Sequence, residues 1–269
     1  MVIRMLNLIT ADLFKLRKAM GIKIILSITT VSAVIMAVMA YLIPQGKIDA
    51  SMTGIGFMFS DINMISILGA VIAGIFICGD FDNKTIHASI SGGSSRGAII
   101  VSKAIVFGGA LTLILLPYVI VTGFALSIGS KFDMGSVGVG FLNLLTTEGS
   151  TTFSAPEIWK LLAVMLTLLI VYAAQLSICI PLAFVLKKPV LVVAIYYGFS
   201  ILSAQLIRIS ESSPIFDTIF SCTPFGGNYA FTTLDTSAGD IIKAIAASLL
   251  FIIVMLAITY SAFRRTEVK

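Results

Sequence analysis

Apolar residues fall into six long runs separated by short clusters of charge, hydroxyl and glycine. A hydrocarbon core of about 30 Å needs roughly 20 apolar residues in a helix. Residues 22–43, 60–79, 104–129, 161–186, 189–207 and 242–263 each form a run of about that length. Helices are expected, because in lipid only a helix or a closed barrel satisfies its backbone and the runs lack a barrel's alternation. The closest boundary lies between the fourth and fifth runs, where Leu186, Lys187, Lys188 and Pro189 make the turn. Two lysines before a proline read as a reversal.

Ahead of the first run, Val2, Met5, Leu6, Ile9, Leu13, Leu16 and Met20 recur at helical spacing, with Arg4, Asn7, Lys15 and Lys18 opposite. Residues 1–21 are therefore expected to lie on the membrane surface as an amphipathic helix, with Leu6, Ile9, Leu13 and Leu16 in the interface. A soluble extension packed on another domain is the alternative, and no other domain is predicted. The first run follows some twenty charged-flanked residues and lacks a small-residue cleavage site, so no cleaved signal peptide is expected.

Two connecting segments exceed what a turn needs. Residues 131–160 contain "FLNLL" and residues 208–243 contain "SPIFDTIFSCTPFGGNYAFTTL". Both are too short to cross a membrane and too apolar to hang in water. The second either dips into the bilayer and returns at Pro224 to Gly227 or forms a helix capping the bundle.

Composition supports the membrane reading. The 269 residues are 58% hydrophobic and 12% charged, about half the charge of a soluble domain, and the mean hydropathy is +1.07. With six spans both termini share a side. That side carries Arg4, Lys15, Arg17, Lys18, Lys23, Lys84, Arg96, Lys103, Lys187, Lys188, Arg264, Arg265 and Lys269, which is 13 of the 18 basic residues. Both termini are therefore expected in the cytoplasm. The net charge of +5 reads as topology and not as nucleic-acid binding.

Candidate chemistry is sparse. There is no G-x-x-x-x-G-K-[ST], no His-Glu-x-x-His and no nucleophile elbow. Cys78, Cys179 and Cys222 stand at no metal-ligand spacing and read as apolar filler. Acids and bases lie at span ends or outside the spans, with Asp61 and Arg208 the nearest exceptions. An ion-driven transporter would be expected to place a carboxylate near the midplane. Any transport is then expected to draw its energy elsewhere.

The polar island "GDFDNKTIHASISGGSSRGAIIVSKA", residues 79–104, holds the only histidine. His87, with Asp80 and Asp82 near it in sequence, is the one candidate general base; a polar-loop histidine is far more commonly a contact residue. The stretch "DFDNKTIHASI" predicts a short surface helix capped by Asn83 or Asp82, with Ile86 and Ile90 on one face. "SGGSS" ends it, and "RGAIIVSKA" leads into the third span. Fixed between two spans, such a helix suits a separate motor protein pushing on the bundle.

The pattern acid-F-x-N-K-T-I followed by S-R-x-x-I-I-x-S-K-A, together with the N-terminal helix and six spans, resembles the permease subunits of ABC-2 type exporters. The resemblance is in particular to the branch of bacterial peptide export and bacteriocin immunity, and it covers essentially the whole chain as one transmembrane domain. Asp80 stands where relatives often carry glutamate, and Ser95, Arg96 and Lys103 match the recurrent "SR…SK". The resemblance implies an all-α polytopic protein of the bacterial cytoplasmic membrane with a cytoplasmic coupling helix at Asn83 to Ser91. Asp80, Asp82, Asn83, Lys84, Ile86, His87, Ile90 and Arg96 would engage a separate ATPase, with Ile86 and Ile90 as the apolar contact. It further implies a second permease subunit, identical or a sister chain, and an amphipathic peptide or other hydrophobic cargo. No cofactor or metal is expected on this chain, since ATP and Mg would be bound by the partner ATPase. A membrane enzyme using His87 and a non-transporting receptor or scaffold are the alternatives.

Overall fold

The computed structural model describes residues 2–134, 138–148, 154–210 and 212–265; Lys269 and part of the 131–160 segment lie outside this range. Among the described residues the regular structure is all helix, with no strand, and six helical stretches are long and apolar enough to cross a membrane. The chain is thus an all-α polytopic membrane protein. Helix α1 (Val2–Lys18) is followed by α2 (Met20–Leu42), the first span, and by a short α3 (Thr53–Met58). The second span comprises α4 (Asp61–Ala73), a π-helical turn at Gly74–Cys78 and α5 (Gly79–Asp82). Then come α6 (Thr85–Ser91), α7 (Arg96–Ser127), the third span, and α8 (Phe141–Glu148). The fourth span is α9 (Ala155–Leu176) plus α10 (Cys179–Leu186), and the fifth is α11 (Pro189–Ser210). A short α12 (Pro214–Phe220) precedes the sixth span, α13 (Ala238–Arg265).

Helix ends follow local chemistry. Ser95 caps α7 by accepting from the Ala98 amide at 3.2 Å, so the helix that carries the third span starts at Arg96, eight residues before the apolar run. Lys103, which the sequence places at the edge of the apolar run, is buried in protein. In the fourth span Pro181 has no N–H for the Ser177 carbonyl, and the helix breaks at residues 177–178. Lys187 adopts a left-handed conformation (φ 54°) that ends α10, and Pro189 opens α11. In the π-helical turn, Gly74 lets Pro189 approach within about 3 Å of where a Cβ would stand, so the second span and the start of the fifth pack backbone to side chain.

The core runs the length of the bundle. Helices α1 and α2 pack along α7, α4 along α11, and α13 against α9 and α10. Phe81, Phe184 and Phe263 tie the second, fourth and sixth spans together at the end that gathers both termini, with ring centroids 5.1 to 6.2 Å apart. The Lys187 ammonium lies 5.1 Å above the Phe81 ring.

At the opposite end, α8 buries Phe141, Leu142, Leu144 and Leu145, which accounts for the apolar "FLNLL". The 208–243 segment dips back toward the bundle. Phe225 packs edge-on against Phe199 at 5.1 Å and Phe251 at 6.0 Å. Phe199 lies ten residues past the start of α11, about 15 Å at the rise of a helix. The turn at Pro224 to Gly227 therefore sends a side chain to mid-span depth, the re-entrant alternative.

Candidate functional site

Four charged side chains from three elements meet at the end of the bundle that carries both termini. Lys103 on α7 donates to Asp12 Oδ1 at 2.7 Å and also pairs with Asp80. Lys15, one turn along α1 from Asp12, extends the chain of pairs by meeting the other oxygen of Asp80. Ser102 Oγ reaches Asp12 Oδ2 at 3.4 Å, and the Lys103 ammonium lies 4.3 Å above the Phe76 ring, within the π-helical turn. Two cations against two anions leave the cluster neutral, as a poorly hydrated site requires. Lys15, the most exposed member, is held below an ordinary lysine by burial and then by the Lys103 charge, with Asp12 pulling the other way.

Helix α6 follows directly on the Asp80 end of this cluster and is fastened by two contacts of its own. Thr85 Oγ1 donates to the Asp80 carbonyl at 3.1 Å, and Ile86 is 1% exposed, inside the core. A cleft of about 190 Å³ lies alongside, between Leu8 and Asp12 of α1 and Thr85 and Ser89 of α6. Three sequence expectations change here. The helix begins at Thr85, and neither Asn83 nor Asp82 caps it; Lys84, left-handed at φ 56°, is the residue before it. Ile86 and Ile90 do not face outward, since Ile86 is buried and Ile90 packs against the same core, so they fasten α6 to the protein. The side chains left exposed are Asp82, Asn83, Lys84, Thr85, Ala88 and Ser91, with His87 half-buried. The Asp80 carboxylate faces Lys15 and Lys103.

Arg96 takes a separate position. One of its nitrogens donates to the carbonyls of Phe263 at 2.7 Å and Arg264 at 2.8 Å, and its guanidinium lies 5.3 Å from the Phe263 ring centroid. It closes the C-terminus of α13, where carbonyls have no partner within the helix.

In α1 the expected apolar stripe divides. Leu16 is buried against the bundle and Ile9 packs partly on it, whereas Leu6 and Leu13 are exposed together with Phe14. Basic Arg17 and Lys18 flank this outward face. One face thus meets protein and the adjoining one is left for lipid.

At the far end Asp61, expected merely near a surface, is fully buried. Its Oδ2 accepts from the Phe141 amide at 3.1 Å and from the Tyr172 hydroxyl. Glu148 accepts from the Leu234 amide at 3.1 Å, and the Gly140 amide donates to the Ala230 carbonyl at 2.6 Å. These bonds tie α8 and the re-entrant segment to the spans. Sequence reasoning missed Asp12, Lys15 and Tyr172 as partners. A signal was present for the first two: an acid and a base at i, i+3 share a helix face.

Neither protein-family models nor curated proteins match the chain. The fold defines its class as a six-span helical membrane protein with a clamped surface helix between its second and third spans.

Proposed function

We propose that the chain is the membrane permease subunit of an ATP-driven exporter of the ABC-2 type. It sits in the bacterial cytoplasmic membrane with both termini inside and moves an amphipathic peptide or other hydrophobic cargo outward. The observation that carries the reading is the clamping of α6: Ile86 in the core and the Asp80 carboxylate between Lys15 and Lys103. A surface helix so held transmits displacement to the second and third spans and to α1 instead of absorbing it. Its exposed residues Ala88 and Ser91 are small, and the exposed polar Asn83 and Lys84 precede it, an arrangement suited to a groove on a separately encoded ATPase that supplies ATP and Mg. Interface energy concentrates in a few central contacts, and Ala88 is central on that side.

Mechanically, ATP would draw two ATPase subunits together beneath two permease subunits, identical or sister chains, and each α6 would move with its motor. The aromatic contacts of Phe81, Phe184 and Phe263 would carry the movement into the fourth and sixth spans. The test is ATP hydrolysis in complexes purified through this chain. Ala88→Arg is expected to abolish it while insertion and folding persist, whereas His87→Ala leaves most of it. Hydrolysis surviving Ala88→Arg and lost in His87→Ala would overturn the reading.

A further inference from the structure

A cavity of about 390 Å³ opens within the single chain between α4, the end of α9, α11 and the re-entrant turn. Its walls mix Phe57, Ile62, Ile201 and Phe225 with the uncharged polar side chains of Asn63, Ser66, Gln175, Ser200, Gln205 and Asn228. Ser200 to Ile207 lie eleven to eighteen residues past the start of α11, roughly 16 to 27 Å along it. The cavity therefore reaches from about mid-span, where Tyr197 and Gln175 line it, toward the end remote from the termini. Polar side chains and irregular backbone at that depth are tolerated where they line a cavity or are buried in protein, and here both line the same one. The volume falls in the range of small-molecule sites, which are largely apolar with a few placed polar groups.

Part of the polar capacity is already used. Gln175 Nε2 donates to the Pro224 carbonyl at 2.8 Å, Asn63 Nδ2 to the Phe57 carbonyl at 2.8 Å, and Ser66 and Ser200 share a bond at 3.2 Å. The Gln175 and Asn63 carbonyl oxygens and the Gln205 amide, which is exposed, have bonding capacity beyond these. Among the described residues no charged side chain lines the cavity, so an ionised group entering it would lose its hydration without a counter-charge.

We infer that this cavity binds amphipathic molecules whose polar part is uncharged and both donates and accepts hydrogen bonds, such as an amide, with an apolar body against Ile201 and Phe225. The inference deepens the exporter reading by naming a cargo site in one chain, but it concerns binding alone and is tested without an ATPase.

The test uses the full chain in lipid nanodiscs without nucleotide. Benzoylphenylalanine replaces Ile201 at the cavity or, as a control, Ile253 on the outward face of α13. The probes are dodecanamide and dodecanoate, each with a nitrobenzoxadiazole at the far end of the chain. Irradiation is expected to label position 201 with the amide saturably and about tenfold more than position 253, and with the carboxylate no more than the control. Gln205→Leu, at an exposed site where folding is not at stake, is expected to cut labelling about fivefold, the loss of roughly one hydrogen bond. Equal labelling at both positions would overturn the site, and equal labelling by both probes would overturn its chemistry. Selective labelling in a chain that purifies with no ATP hydrolysis would leave the cavity standing and remove the exporter.

Discussion

Asp80, at the end of the second span, and Lys103, two turns into the third, form an ion pair in which both side chains are at most 6% exposed. Breaking a buried pair by removing one partner leaves an uncompensated charge and costs about 3–5 kcal/mol. Lys103→Met is therefore expected to lower unfolding free energy by about that much, leaving Asp12 and Asp80 to share Lys15. Adding Asp80→Asn restores charge balance and is expected to recover part of the loss. Denaturant titration in mixed micelles measures both; a single variant as stable as the parent would contradict the clamp.

Arg96 is expected to act on the last helix and not on a partner. Arg96→Ala removes its bonds to the Phe263 and Arg264 carbonyls. A hydrogen bond to a charged group is worth about 1.5 kcal/mol or more. Amide exchange in residues 258–265 should accelerate roughly tenfold, with little change in α6. Unchanged exchange at that helix end would remove this role.

Gly140 has φ +64°, and a Cβ there would collide with the Tyr172 hydroxyl and the Asp61 carboxylate. Gly140→Ala adds left-handed strain to overpacking, which alone costs about 1–3 kcal/mol. The expected result is loosening of the far-end cap. Protease cleavage between residues 138 and 148 should then rise while the spans stay protected; cleavage at parental rates would mean the Asp61 contacts do not hold α8.

The spans were legible because their determinant is local: twenty apolar residues in sequence identify themselves. Their ends were less so, and Lys103 shows why. A charge in sequence reads as water, yet this one is satisfied by Asp12 and Asp80 from elements 91 and 23 residues away. Ile86 and Ile90 show the same limit for the surface helix. Their shared face was visible from spacing, but whether it turned inward or outward depends on the core it meets, α7 included. Pro224 to Gly227 was legible as a turn, whereas its depth rests on Phe225 meeting Phe199 and Phe251.

Orientation is open to a direct check through the native cysteines. Cys222 is exposed at the far end, and Cys78 and Cys179 are buried. In intact cells a membrane-impermeant maleimide should label Cys222 and fail to label Cys222→Ser carrying Ser91→Cys on α6. The reverse pattern would invert the topology.

The most direct test of the central claim is ATP hydrolysis by the complex isolated through this chain from its native membranes. The account predicts that hydrolysis co-purifies with the parent chain and with Cys222→Ser, and is lost together with the ATPase subunit in Ala88→Arg although the variant chain is recovered folded. Recovery of the folded parent chain with no ATP hydrolysis, or hydrolysis unaffected by Ala88→Arg, would contradict it.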